Sequence, residues 1–321
     1  MIRSIIALLT ACAVSIWPNT SSARTADRPA SQVITLGTMA GPLADPTRAQ
    51  PATLLRWDGG MVLVDAGDGA AGQLAKAGVQ LANLRSIVLT HVHADHTGGL
   101  YAILATRLQV MVPPITIYGP PGTRRLVSGL LTALAPLSEL GLAMPGRPPR
   151  DPAASVKVVE IGDGSEVQVE GIKVRAAANS HYLMNGHSPD PSQAQSLSLR
   201  FELPGRSVAI TGDTGPSQAV AALARDADVL VSEIIDVPET IAHLRANYPS
   251  FPEAAMAAAA AHFAEQHLIA AEVGKLARSS GVKRLVVTHI AMPRSALKAA
   301  RRAIARHYQG PVDFAEDLNS F

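Results

Sequence analysis

The sequence predicts a layered α/β protein built on mixed β-sheets, and three observations support this fold class. Short strand-forming runs dominate both halves of the 321-residue chain, and helix-forming segments lie between some of them. Hydrophobic residues make up 47% of the sequence, which is ample for a buried core. The two strand-rich halves join near residue 150, which suggests a duplicated unit rather than a uniform βαβ array.

The predicted elements follow from hydrophobic periodicity and from helix-forming composition. The strands are expected at Val33–Leu36, Thr53–Arg56, Met61–Val64, Ile87–Leu89, Ile115–Tyr118, Val156–Ile161, Val167–Val169, Ile172–Ala176, Leu197–Leu203, Ser207–Ile210, Val229–Val231 and Leu285–Val287. The helices are expected at Gly69–Ala77, His96–Ala105, Thr123–Leu140, Gln218–Ala224, Pro252–Gln266, Ala270–Ser279 and Arg294–His307. Two Pro- and Gly-containing stretches, Pro136–Pro152 and Leu183–Gln195, are expected to be irregular loops.

The N-terminus has the layout of a secretory signal peptide. Arg3 gives a positive start, Ile5–Trp17 is apolar, and Ser21-Ser22-Ala23 is a small-residue cleavage site. The apolar run of about 13 residues is shorter than the roughly 20 that a spanning helix needs. The sequence therefore predicts a signal peptide over residues 1–23, a single domain over residues 24–321, and a periplasmic or secreted protein without membrane contact after cleavage. The alternative is lipidation at Cys12, since Leu9-Thr10-Ala11-Cys12 resembles a lipobox.

Cysteine content and charge limit the chemistry of the mature chain. Cys12 is the only cysteine, so cleavage near Ala23 leaves no thiolate for a disulfide, a nucleophile or a metal. A bound metal would then be held by imidazole and carboxylate groups. The formal net charge of +2 lacks the basic excess that is typical of nucleic-acid binding.

A histidine cluster is the strongest functional signal. His91, His93, Asp95 and His96 lie within six positions, directly after the apolar run Ser86–Leu89 and before a predicted helix. This spacing brings four metal-binding side chains to the end of one buried strand. Imidazole and carboxylate ligands suit zinc first, with manganese or iron as alternatives.

Three further metal-binding side chains follow other apolar strands. His181 follows Ile172–Arg175, Asp213 follows Val208–Ile210, and His289 follows Leu285–Val287. Layered α/β proteins place their sites at the carboxyl ends of strands, so these side chains are expected to meet the histidine cluster.

The motif His-x-His-x-Asp-His at a strand end resembles that of the metallo-β-lactamase fold superfamily. The sequence is most similar to its ribonuclease Z, phosphodiesterase and arylsulfatase-like branch. The similarity is carried by Gly37-Thr38 with Pro46 and Arg48, and by Asp65-Ala66-Gly67, Thr211-Gly212-Asp213-Thr214 and Val287-Thr288-His289. The resemblance implies a four-layer αββα sandwich with two mixed β-sheets.

The resemblance also implies a set of metal ligands. His91, His93 and His181 would hold one divalent ion, Asp95, His96 and His289 a second, and Asp213 would bridge the two. Such a pair would activate a bridging hydroxide as the nucleophile, with Asp95 accepting or orienting its proton.

His267 is implied as the proton donor to the leaving group, because it precedes the helix Ala270–Ala277 as the family's donor histidine does. This chain has Ile269 where the family usually has threonine. A surface histidine at a helix end is the alternative for His267. His187, His243, His262 and His307 are expected to be surface residues or to lie behind the ligands.

The function that the resemblance implies, together with the predicted signal peptide, is an exported binuclear hydrolase acting on a phosphodiester or sulfate ester. A lactonase or β-lactamase of the same fold is the nearest alternative, although such β-lactamases lack a bridging aspartate at the position of Asp213. An iron-dependent redox protein and a non-catalytic binding protein are less favoured. The expected partner is a small-molecule ester with no nucleic acid, since neither irregular segment has the Gly- and Lys/Arg-rich composition of a tRNA-gripping arm; homo-oligomerisation stays open.

Overall fold

The computed structural model describes residues 30–42, 44–140, 150–184 and 187–321. The strands in these residues are β1 (Ser31–Gly37), β2 (Ala52–Trp57), β3 (Gly60–Val64), β4 (Ser86–Val88), β5 (Ile115–Gly119), β6 (Val156–Glu160), β7 (Glu166–Val169), β8 (Ile172–Ala178), β9 (Leu197–Leu203), β10 (Arg206–Ile210), β11 (Val229–Ile235), β12 (Leu285–Ala291), β13 (Val312–Phe314) and β14 (Asn319–Ser320). The helices are α1 (Ala70–Lys76), α2 (Ala94–Thr97), α3 (Leu100–Gln109), α4 (Thr123–Glu139), α5 (Gln218–Leu223), α6 (Val237–Asn247), α7 (Glu253–Gln266), α8 (Ala270–Ser279) and α9 (Leu297–Ala305).

The strands form two seven-stranded mixed sheets. The first sheet has the order β14-β1-β2-β3-β4-β5-β6, and the second has the order β13-β12-β11-β10-β9-β8-β7. In the first sheet the pairings from β14 to β3 are antiparallel and those from β3 to β6 are parallel. In the second, the pairings from β7 to β10 are antiparallel and those from β10 to β13 are parallel. The two halves thus repeat one pairing pattern.

Side-chain alternation explains how the sheets pack. Along β8, Ile172 and Val174 are buried while Lys173 points to solvent, as a period of two requires. The inward residues of both sheets form one core, in which Leu55 of the first sheet and Phe201 of the second have no exposed surface.

Helices cover the outer face of each sheet. Apolar residues of α1, α3 and α4 pack on the first sheet, and those of α5, α8 and α9 pack on the second. The result is the four-layer αββα sandwich with two mixed sheets that the sequence resemblance implied.

The sequence located β1 to β12 but missed four elements. Helix α6 has no buried residue, so it lacks the apolar periodicity that reveals a helix. Strands β13 and β14 have three and two residues and form by pairing with β12 and β1. The short α2 lies within the histidine motif.

Some sequence predictions fall outside the described residues. The signal peptide and Cys12 lie there, as do residues 141–149 of the expected Pro136–Pro152 loop, whereas Pro136 itself lies inside α4. Of the expected irregular segment Leu183–Gln195, the described residues are irregular apart from a turn at residues 191–193 and an isolated bridge between Met184 and His187, and Asn185 and Gly186 lie outside. Among the described residues, no helix combines the length and apolarity needed to cross a bilayer.

Candidate metal centre

Six of the seven predicted ligands lie in the loops and the short helix that follow the strands. His91 and His93 lie in the loop after β4, and Asp95 and His96 are in the first turns of α2. His181 follows β8 and Asp213 follows β10. The carboxyl ends of these three strands, which belong to both sheets, meet at one edge of the sandwich.

His289 differs from the expectation, because it lies inside β12 rather than beyond its end. The pairing of β12 with β11 shifts register between Ser232 and Ile234, because Thr288 and His289 of β12 lie opposite the single residue Glu233 and form a bulge. His289 has a φ of 44°, a left-handed conformation that is unusual for a residue with a side chain. Bulges of this kind redirect a side chain beside functional sites.

The structure brings all seven predicted ligands together in two groups. The first half-site consists of His91, His93 and His181, and the second consists of Asp95, His96 and His289, with Asp213 beside both. Within each group the candidate ligand atoms lie within 4.8 Å of one another. His91 and His181 are fully buried.

The Asp213 carboxylate is shared between the half-sites. Its Oδ1 lies 3.2 Å from Nε2 of both His96 and His289. Its Oδ2 lies 3.8 Å from Nε2 of both His91 and His181. One oxygen therefore faces each half-site.

Unpaired buried atoms show that these residues fit a divalent metal. Within the described residues, Nε2 of His91, Nε2 of His96 and Oδ1 of Asp213 are buried without a hydrogen-bond partner. Leaving such atoms unpaired is costly, so their convergence indicates a group that accepts their lone pairs. A set of imidazoles and carboxylates suits zinc, manganese or iron.

The outward nitrogens of the histidines are fixed by oxygen atoms. His91 Nδ1 lies 3.0 Å from Thr90 Oγ1, His96 Nδ1 lies 2.8 Å from Asp65 Oδ2, and His181 Nδ1 lies 3.1 Å from the Gln266 carbonyl. Such contacts orient each ring and direct Nε2 inward. Asp65 also accepts hydrogen bonds from the Thr90 amide and hydroxyl at 2.8 and 2.9 Å.

Burial favours the neutral, ligating form of two of the histidines. Loss of water lowers the pKa of His91 well below its ordinary value, and the neighbouring His96 lowers it further. Burial also lowers the pKa of His181 to about 3, against the attraction of Asp213. A neutral imidazole is the form that binds a metal.

His267 lies at the centre rather than on the surface. It is 7% exposed, and its ligand atom is grouped with those of His181 and Asp213. His267 Nδ1 lies 2.6 Å from Glu233 Oε2. Burial disfavours the charged form of the ring and lowers its pKa. The charge of Glu233 and its hydrogen bond to the ring together outweigh burial and raise the pKa of His267 to about 9.

Sequence reasoning missed Glu233 and gave Asp65 no role. Glu233 is a fully enclosed carboxylate within the apolar strand β11, and it also accepts the Thr214 amide at 2.5 Å. A single acid in an apolar strand was the available signal, because a buried charge needs a partner. The ring of His262 lies 5.7 Å from that of His267, behind the ligands.

An open cavity of about 410 Å³ adjoins the second half-site. Its lining includes Met39, Gly41 and Arg48 from the β1–β2 loop, Phe263 from α7, and Met292 after β12. The Gly41 amide donates a hydrogen bond to Asp95 Oδ2 at 3.0 Å, which places the cavity next to that ligand. Its size is in the range of small-ligand sites.

A family profile described as "Beta-lactamase superfamily domain" matches residues 61–290, which include all seven predicted ligands. The chain belongs to the metallo-β-lactamase superfamily. It is 32% identical over 296 residues to the ribonuclease Z of Mycolicibacterium paratuberculosis, covering 90% of this chain and 96% of that protein. It is 33% identical to the ribonuclease Z of Mycobacterium avium, with the same coverage. The protein is thus a metal-dependent hydrolase of the superfamily's ribonuclease Z and phosphodiesterase branch.

Solved structures of low sequence identity share the fold. The metallo-β-lactamase fold protein YhfI from Bacillus subtilis superposes with a TM-score of 0.64 at 16% identity, over 91% of this chain and 98% of that one. The short form of human tRNase Z gives a TM-score of 0.59 at 23% identity, over 90% of this chain and 98% of that one.

The expected partner, a small-molecule ester with no nucleic acid, is contradicted by these relatives. Curated metallo-β-lactamase superfamily members that match most of the chain are named as ribonucleases. The expectation rested on the composition of the two irregular segments and on a net charge of +2, which averages over the whole chain. A metal centre supplies positive charge directly at the phosphate that reacts. A near-neutral total charge therefore does not exclude an RNA substrate.

Proposed function

We propose that the protein is a two-metal phosphodiesterase that hydrolyses a phosphodiester bond in RNA, with zinc as the first choice of ion. The support for RNA comes from the ribonuclease Z relatives, which match 90% of the chain. The support for two metals comes from Asp213, whose two oxygens face different half-sites. A shared carboxylate of this kind is typical of paired-metal hydrolases.

The seven ligands define the reaction centre. His91, His93 and His181 would hold one ion, Asp95, His96 and His289 the other, and Asp213 both. When bound, the ions would supply a water acidified to near neutrality and positive charge for the phosphate oxygens. No side-chain nucleophile is then required.

Asp95 orients the attacking water in this proposal. Its Oδ2 lies 3.3 Å from His289 Nε2 and 3.5 Å from His96 Nε2, and it accepts the Gly41 amide. These contacts hold the carboxylate at the edge of the second half-site, where it can accept a proton from the water.

His267 protonates the departing ribose oxygen. The Glu233 carboxylate holds the Nδ1 side of the ring at 2.6 Å and favours the protonated form. The other nitrogen, Nε2, is left to carry the proton that the leaving group receives. Glu233 acts through His267 and is a positioning residue.

Cleavage of RNA by the zinc-loaded protein tests the proposed substrate. The zinc-loaded protein should hydrolyse a transfer-RNA precursor and an unstructured RNA oligonucleotide at different rates. Each of these two rates should exceed its rate of hydrolysis of a lactone or a β-lactam. Cleavage of a nitrophenyl phosphodiester without any RNA cleavage would overturn the RNA substrate while keeping the phosphodiesterase. Turnover of lactones alone would overturn both.

The shared carboxylate is tested by Asp213→Ala. This variant should lose the second ion most readily and should lose activity by a factor of about 10² or more, while the strand core stays folded. Asp313→Asn is the matched control, because the partly exposed Asp313 carboxylate pairs with Arg284 at 2.8 Å. Wild-type turnover in Asp213→Ala would contradict the bridging role.

A further inference from the structure

The C-terminal segment of the chain crosses from one sheet to the other beneath the metal centre. Strand β13 belongs to the second sheet and β14 to the first, so residues 315–318 make the crossing. The Ala315 amide donates to the Val287 carbonyl at 2.8 Å, and the Leu318 amide donates to the Thr35 carbonyl at 2.6 Å. These contacts fix Asp317 between β1 and β12.

Asp317 accepts four hydrogen bonds from three other segments of the chain. Its Oδ1 accepts the Thr38 amide at 3.0 Å and the Thr38 hydroxyl at 2.8 Å. Its Oδ2 accepts the Ala49 amide at 2.8 Å and the Gln73 side-chain amide at 2.6 Å. Two donors on each oxygen require a carboxylate, since an amide side chain would place N–H groups against donors.

Three of these four bonds fix both ends of the loop between β1 and β2, and the fourth ties the carboxylate to α1. Thr38 begins this loop and Ala49 lies near its end, and the Met39 amide closes it by donating to the Ala49 carbonyl at 3.0 Å. The geometry of the loop therefore depends on one carboxylate that is distant in sequence.

The same loop contacts the second half-site at two points. The Gly41 amide donates to Asp95 Oδ2 at 3.0 Å. The Thr38 carbonyl accepts the Ile290 amide at 2.9 Å, directly beside His289 in the bulge. Asp95 and His289 both belong to the second half-site, and Asp95 Oδ2 lies 3.3 Å from His289 Nε2.

We propose that Asp317 is a positioning residue for the second metal: by fixing the β1–β2 loop it places Asp95 and His289 at the spacing the ion needs. The proposal rests on the two-metal function proposed above. Hydrogen-bond partners behind metal ligands commonly change metal affinity by 10- to 100-fold, and Asp317 extends such support through a backbone loop.

Zinc titration of the metal-free protein against a competing chelator measures this role. In Asp317→Asn the second zinc ion should bind at least about 10-fold more weakly, while the first binds as in the wild type. Catalysis should return when zinc is saturating, because no group that touches the substrate has changed. Glu316→Gln is the matched control, because the Glu316 side chain, next to Asp317 in sequence, is 61% exposed and pairs with Arg294 at 2.7 Å.

A milder variant covers the outcome in which Asp317→Asn does not fold. Thr38→Val keeps the shape of a fully buried side chain and removes a single donor to Asp317, so it should weaken the second ion by a smaller factor. Equally weakened binding of both ions, or unchanged zinc binding in both Asp317→Asn and Thr38→Val, would overturn the role of Asp317. Neither result would overturn the two-metal function. A wild-type protein that binds one ion at saturation would overturn the two-metal function and this proposal together.

Discussion

His267 is the residue whose contribution depends most on the substrate. A good leaving group departs as an anion, whereas a ribose alkoxide needs a proton in the transition state. His267→Ala should therefore slow RNA cleavage by roughly 10²-fold or more and slow a nitrophenyl phosphodiester much less, with unchanged zinc content. Steady-state rates on both substrates check this, with His307→Ala, after α9, as control. Equal losses on the two substrates would indicate positioning instead of proton donation.

Glu233 determines the charge of His267 in the metal-free protein. The pKa of His267 is raised to about 9, so its protonation stabilises the fold below the ordinary histidine pKa of about 6.5 as long as Glu233 stays ionised, and burial raises the pKa of that carboxyl above its ordinary value. That contribution is lost as the pH rises through about 9. In Glu233→Gln the pKa should fall well below 9, because burial then acts without the opposing carboxylate. An NMR titration of the histidine rings measures the shift, and an unchanged pKa would show that the pair is not formed.

The β1–β2 loop is the element that most directly controls the second half-site. A Cβ on Gly41 would lie 2.3 Å from the Cβ and Cγ of Asp95, so Gly41→Ala must displace that ligand. The variant should lose second-site zinc and most activity while unfolding at nearly the wild-type temperature. Gly72→Ala is the control, because its Cβ meets nothing within 4 Å and alanine favours helix α1. Normal zinc affinity in Gly41→Ala would show that Asp95 tolerates the shift.

The elements that the sequence predicted are those with a local signal. Strand runs such as β9 and β12 are apolar over their length, and the histidine motif places four ligands on one loop and helix. The carboxylates behind the ligands carried no such signal, because Asp65 and Asp317 acquire their roles through contacts with distant segments. The bulge at His289 was hidden for the same reason, since it exists only in the pairing of β12 with β11.

The whole molecule places its chemistry at one edge of the double sheet. Ligands after β4, β8 and β10 and within β12 come from both halves of the chain, so the centre forms only when the two sheets pack together. The repeated pairing pattern brings the parallel strands of each sheet to this edge. The C-terminal strands β13 and β14 belong to different sheets, so the segment between them, which holds Asp317, joins the two sheets.

The predicted export of the chain is independent of the chemistry of the metal centre. We propose that residues 1–23 direct secretion, because they combine a positive start, an apolar run and a small-residue cleavage site and hold none of the seven ligands. Deletion of these residues should leave zinc content and RNA cleavage unchanged and should remove Cys12, so thiol reagents should no longer modify the protein. Fractionation of cells making the full chain should find the shortened form outside the cytoplasm, where its substrate would be RNA released from the cell. An exported form whose Cys12 carries lipid would establish lipidation in place of cleavage near Ala23. Retention of the full chain in the cytoplasm would contradict export itself.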